Sequence, residues 1–389
     1  MTTTTTIPSI GVGQGANPLK GLLAYGQSPW MDYIRRDLLT SGGLKKYIDN
    51  DGLRGMTSNP AIFEKAITSS NLYLDVLTSP DAKKLDANGL FEKIALRDVQ
   101  DACDIFQPVY AETKRRDGYV SLEVSPFLGF DTKASLAEAR RLWKATDRPN
   151  VMIKIPGTPE GLPAIRQALE DGININITLL FAQSAYEQVA EAFLSALEAR
   201  AAKGQDISHI ASVASFFVSR IDTLVDSQID EKLKTAAEAG QKALLESLLG
   251  KVAIANARLA YKKYQELFGG PRWKALAAKG AQTQRLLWAS TSTKNPKYRD
   301  VIYVEELIGA DTVDTIPPAT FDAFRDHGRL RPSLTENVER AAKTMADLAK
   351  AGISMKEVTD KLMIDGVKLF ADAFKTLLDA VGKNAGVRV

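Results

Sequence analysis

The 389 residues carry 50 lysines and arginines against 47 acidic residues, a net charge of +3, with 45% hydrophobic and 25% charged residues. So even a balance argues against nucleic acid or an anionic membrane surface as partner, and the composition is that of a globular chain with ample core. One cysteine, Cys103, leaves no intrachain disulfide, and neither a basic leader nor an apolar run of membrane length stands out, so cytoplasmic residence is the expectation.

Residues 1–18 are rich in Thr, Gly and Pro and read as a flexible arm ahead of one domain, 19–389. The GVGQG inside that arm lacks the strand and helix that a dinucleotide fingerprint needs on either side. From Pro29 onward, short apolar strands alternate with longer amphipathic segments, the pattern of repeated β/α units around a parallel sheet. The first strand, SPWMD, leads into one helix, YIRRDLLTSGGLKKYIDN. Residues 53–61, LRGMTSNPA, are the second strand, followed by helical material as far as Arg116 with an excursion near 78–88. Further strands are expected at 119–127, at VMIKIP from Val151, and at 174–181, 209–219, 285–291 and 311–318. Helices separate them, with two runs across 221–267, and a helical tail over 333–383 packs on the outside. Eight such units predict an α/β fold: a closed eight-stranded parallel β/α (TIM) barrel with additional helices, including a C-terminal helical extension. A doubly wound open sheet is the alternative, but no strand is followed by the Gly-rich turn of its ligand crevice. In a barrel, polar residues at the C-terminal ends of strands are the candidates for chemistry.

Lys154 is the residue that most needs explaining. It interrupts VMIKIP, a strand apolar on both faces and therefore covered on both sides, where an ammonium loses its hydration. Burial favours the neutral amine, a nucleophile for carbonyl carbon, which makes Schiff-base chemistry the sharp reading. A lysine that reaches the strand end or pairs with a buried carboxylate for structural reasons is the plain one. Glu123, in SLEVSP on the adjacent strand, is the obvious partner. On the fifth strand Asn174, Asn176 and Thr178 alternate with isoleucines, giving either a polar face toward a ligand or a ladder satisfied within the barrel. Asn59 before Pro60, and Asp32 after the first strand, each read in isolation as helix caps. Arg220 opens a helix, where the macrodipole disfavours a cation unless an anion such as phosphate binds there. Ser215 and Ser219 lie beside it, and STSTKNP supplies Ser290, Ser292 and Lys294 at the next strand end. Two histidines, His209 and His327, cannot build a three-histidine zinc site, so no metal is expected.

TSNPAIFEK, SLEVSP, VMIKIPGTPEG, GININITLLF, SFFVSRID and VDTIPPATFDAF, in that order, resemble the transaldolase family in its longer bacterial form, from Pro29 to the C-terminus. The resemblance implies a pentose phosphate pathway transferase that uses neither cofactor nor metal. It would move a dihydroxyacetone unit from sedoheptulose 7-phosphate to glyceraldehyde 3-phosphate, giving erythrose 4-phosphate and fructose 6-phosphate. Lys154 would form the Schiff base, and Glu123 would relay protons through a water held with Thr178. Asp32 would act on the C4 hydroxyl, Asn59 and Asn176 would hold the retained fragment, and Ser215 and Arg220 would bind phosphate. Shorter members carry an arginine soon after the strand-seven serine, matched here by Ser290, and Lys294 would take over that arginine's charge. Two rivals remain: a fructose 6-phosphate aldolase, whose relatives use a tyrosine where Glu123 stands, and a sugar-phosphate-binding barrel without catalysis.

Overall fold

In the computed structural model, which describes residues 17–388, eight parallel strands close into a barrel in chain order. They are β1 (Gln27–Asp32), β2 (Gly55–Thr57), β3 (Tyr119–Glu123), β4 (Val151–Pro156), β5 (Ile175–Leu180), β6 (Ser212–Phe217), β7 (Arg285–Ala289) and β8 (Thr312–Ile316), with β8 pairing back onto β1. Almost every strand residue is buried, because the strands pack against side chains within the barrel and helices outside it, which is why β4 is apolar but for Lys154 and β5 alternates isoleucines with the buried Asn176 and Thr178. Residues 1–16, with the GVGQG, lie outside the described residues. Asn17, expected in the arm, caps the helix Pro18–Gly21 and donates to Asp51 Oδ1 at 2.6 Å.

Paired residues on adjacent parallel strands share a face. The pairs Asp32 with Thr57, Glu123 with Lys154, and Lys154 with Asn176 therefore set these side chains into one inward layer near the C-terminal end of the barrel. The opposite end is plugged. Arg285 donates to Ser28 Oγ at 2.7 Å and pairs with Asp117 at 2.8 Å, and the Trp30 indole N–H donates to the same carboxylate at 3.4 Å. Trp30 also dictates Gly55, where a Cβ would stand 2.4 Å from the indole Cε2.

Three helical expectations need correction. The single helix after β1 is two, Arg36–Thr40 and Gly43–Asp51, because Gly42 between them adopts φ +77° and breaks the run. The two runs over 221–267 are three helices, Ser219–Thr235, Ala239–Leu248 and Val252–Gly269. The tail does not pack only on the flank: its last helix, Met355–Ala385, crosses the mouth of the barrel. It lies against the helices Pro60–Thr68, Ala87–Glu112 and Ser219–Thr235 and reaches β5. Its buried stripe includes Leu362, Phe370, Phe374, Leu377 and Val381, so the apolar face that a tail helix must hide is spent on the barrel top. Gly366 permits the approach, since a Cβ there would stand 2.9 Å from Leu179 Cδ2.

Candidate active site

Lys154 and Glu123 form the centre of the inward layer. Lys154 Nζ lies 3.3 Å from Glu123 Oε2 and 3.3 Å from the backbone carbonyl of Ser58, with side-chain exposures of 6% and 5% for the two partners. At such burial the desolvation of both groups offsets most of their attraction, so the pair is a poor device for stability alone. Burial pushes the Glu123 carboxyl up; the Lys154 charge and hydrogen bond pull it back, and Asp32 adds to the rise. Glu123 keeps one buried oxygen, Oε1, without a hydrogen-bond partner, and the Thr178 hydroxyl is likewise buried and unpartnered.

Asp32 ends β1 but caps no helix, because the following helix takes Arg35 as its N-cap. Its carboxylate instead accepts from Thr57 Oγ1 at 2.7 Å, and Thr57 is bonded to Thr315 at 2.6 Å. Burial raises the Asp32 carboxyl, while Lys154, the Thr57 bond, Arg220 and Lys294 all lower it. Asp32 thus feels three cations, Lys154 on β4, Arg220 on the helix after β6 and Lys294 in the loop after β7. A cavity of about 880 Å³ opens beside Asp32, bordered by Tyr33, Arg35, Asn59, Ile62 and Pro317.

Asn59 is a helix cap, its Oδ1 accepting from the Ile62 N–H at 3.1 Å, and it also borders that cavity. The cap fixes the amide by its oxygen and directs the NH2 elsewhere. Asn174, just before β5, and Asn176 within it have different partners. Asn174 ties strand ends together, donating to the carbonyls of Pro149 and Val151 and accepting from the Ala211 N–H. Asn176 is held deeper in the barrel, donating to Ser121 Oγ at 2.9 Å and accepting from Ser215 Oγ at 2.6 Å. The hydroxyl hydrogen of Ser215 is thus committed to Asn176.

Arg220 sits in the first turn of Ser219–Thr235, with burial lowering its guanidinium and Asp32 raising it. Beyond β7, Ser290 adopts φ +57° and its hydroxyl meets that of Ser219 at 2.9 Å, which ties the two strand ends together. Lys294 donates to Ser292 at 2.6 Å; burial and the Arg220 charge lower its ammonium, and Asp32 raises it. A guanidinium in the first turn of a helix, with a second cation in the loop after β7, suits an anion.

All ten candidate residues therefore gather at the C-terminal end of the barrel. Four more that were not singled out for the site belong with them. Thr57 sets Asp32, Ser121 sets Asn176, the Ser58 carbonyl meets Lys154, and Phe370 covers the mouth. Thr57 and Ser58 were readable from TSNP as neighbours of Asn59, whereas Phe370 lies in an unremarkable amphipathic helix. Among the described residues no group of three or more His, Cys, Asp or Glu side chains is placed to hold a metal ion, and no helix is long and apolar enough to cross a membrane.

The model of the transaldolase/fructose-6-phosphate aldolase family matches residues 29–381, a span that takes in both Asp32 and Phe370. A transaldolase of Trichodesmium erythraeum is 50% identical over 359 residues, covering 92% of this chain and 94% of its own length. Transaldolase 2 of a Nostoc species is 46% identical, covering 94% and 97%, and a transaldolase of Thiobacillus denitrificans is 44% identical, covering 94% and 100%. A lysine and a carboxylate buried together in a β/α barrel are thus found in a chain that these proteins match over 92–94% of its length, and the chain belongs to the transaldolase/fructose-6-phosphate aldolase family.

Proposed function

We propose that this protein is a transaldolase, a transferase that carries a dihydroxyacetone unit between sugar phosphates on Lys154. The observation that carries the proposal is the buried amine 3.3 Å from Glu123 Oε2, with the unpartnered Glu123 Oε1 and Thr178 Oγ1 available to hold a water. In uncharged form, Lys154 Nζ adds to the C2 carbonyl of a ketose phosphate. The carbinolamine hydroxyl leaves as water after accepting a proton that Glu123 delivers, and an iminium forms. Asp32 takes the C4 hydroxyl proton, the C3–C4 bond breaks with its electron pair moving into the iminium, and an aldose phosphate departs. The enamine left on Lys154 is neutral, and addition to a second aldehyde reverses each step.

The donor is sedoheptulose 7-phosphate and the acceptor glyceraldehyde 3-phosphate, with erythrose 4-phosphate and fructose 6-phosphate as products, a reaction of the pentose phosphate pathway. Asn176, fixed by Ser121 and Ser215, presents its amide to the hydroxyls of the retained fragment, and Asn59 does so from the cavity side. Arg220 and Lys294 hold the phosphate, with Ser290 fixing the loop between them. Ser215 acts through Asn176. Cytoplasmic residence fits such substrates. Incubation with fructose 6-phosphate and borohydride, followed by peptide mass mapping, should yield a reduced three-carbon adduct on Lys154, absent from Lys154→Ala. An adduct on any other lysine would overturn the assignment. Rapid release of free dihydroxyacetone without an acceptor would instead identify an aldolase.

A further inference from the structure

The ring of Phe370 lies between the two ends of the site. Its centroid is 5.7 Å from Lys154 Nζ and 5.8 Å from Arg220 Cζ, and a second ring, Phe217, lies 5.3 Å from Arg220 on the barrel side. Aromatic faces attract cations at such distances, and the attraction grows where water is excluded. The ring cannot wander. Phe370 is 6% exposed, and one turn further on Phe374 packs edge-on against Phe91 and Phe127, with centroids at 5.4 and 5.6 Å. On the other side Gly366 is pressed against Leu179, and the Val367 side chain would stand 3.1 Å from a Cβ at Gly129. The helix bearing Phe370 is therefore clamped onto β5 and onto the turn after β3, the two segments that flank Lys154.

We propose that Phe370 roofs the reacting centre and favours the cationic iminium on Lys154 over the neutral species on either side of it. This inference rests on the Schiff-base reading above. Carbinolamine and enamine are both uncharged at that nitrogen, whereas the iminium between them is positive. A fixed negative ring face therefore acts on one intermediate selectively, as a preorganised group must if it is to change a rate and not merely bind. The same ring lies against the guanidinium proposed to receive the phosphate.

The test separates ring electrostatics from packing. Phe370→Leu keeps an apolar roof and removes the π face; incorporation of 3,4,5-trifluorophenylalanine at position 370 keeps the shape and drains the face of negative charge. Both should lower kcat and the yield of borohydride-trapped adduct at fixed fructose 6-phosphate by roughly three- to thirtyfold. The fluorinated protein should keep its thermal midpoint. A fluorinated protein with unchanged kcat, KM and adduct yield would overturn the proposal, whatever Phe370→Leu does. Failure of the underlying reading looks different, because the unmodified protein would then trap no adduct on Lys154.

Discussion

Ser215 Oγ donates to Asn176 Oδ1 at 2.6 Å, and that bond decides which way the amide faces. With the oxygen occupied by Ser215 and one N–H directed at Ser121, a single N–H of Asn176 remains for a ligand.

Ser215→Ala should therefore release the amide to flip, and kcat/KM should fall about tenfold, the cost of one buried hydrogen bond. The choice of donor tells the two roles of Ser215 apart. If it acts through Asn176, the loss persists with unphosphorylated fructose. If it binds phosphate directly, the loss disappears with that donor.

Arg220 and Lys294 differ in how they can hold an anion. Arg220 offers a planar fork between two rings, whereas Lys294 is a point charge steadied by Ser292. Arg220→Ala should raise KM for fructose 6-phosphate by roughly ten- to a hundredfold, and Lys294→Ala by less, with KM for fructose changed by neither. Equal effects on both donors would remove phosphate binding from these residues.

Most of the architecture was legible because each strand declares itself locally. VMIKIP is apolar on both faces but for its lysine, the pattern of a covered parallel sheet, GININITLL alternates isoleucines with polar residues, and all eight expected strands are present. What the chain hid was long-range. Nothing near Asp32 distinguishes a cap from a base until Thr57, on another strand, is seen to hold it. Ser215 reads as a phosphate ligand by its closeness to Arg220, and only the fold shows its hydroxyl donating to Asn176 on β5. Phe370 was invisible for the same reason, since a buried stripe on a tail helix looks alike whether it covers a flank or a mouth. Gly42 shows the converse, a break written locally as Ser-Gly-Gly inside a stretch whose flanking residues suit one helix.

Asp32 must be ionised to accept a proton, and burial raises its carboxyl. The acid limb of kcat against pH should accordingly lie above the ordinary aspartate value, with activity lost as pH falls through the raised pKa. The Thr57 hydrogen bond opposes that rise, so Thr57→Val should move the limb to still higher pH, while Asp32→Asn should cost roughly a hundredfold or more in kcat at every pH. A limb unmoved by Thr57→Val would detach Asp32 from the proton transfer.

Asp314 lies outside the site and should govern stability instead. It is fully buried on the outer face of β8, beside Trp288 on β7 and Pro29 on β1, with Thr291 donating to one oxygen at 3.0 Å and the other oxygen unpartnered. Burial pushes its carboxyl up to about 8 from 3.8. The folded protein thus keeps a proton at neutral pH that the unfolded chain has already released. With more protons bound in the native state, stability falls as pH rises between about 4 and 8, and below that window both states are protonated and nothing is lost. Removing the ionisable group removes the penalty. Asp314→Asn retains an oxygen for Thr291 and should stabilise the protein by on the order of 2–4 kcal/mol at pH 7, a rise of several degrees in Tm, with little change at pH 4. Thermal unfolding of both proteins across that range checks the sign: a variant no more stable than the parent at pH 8 would mean that the carboxyl ionises in the fold without cost.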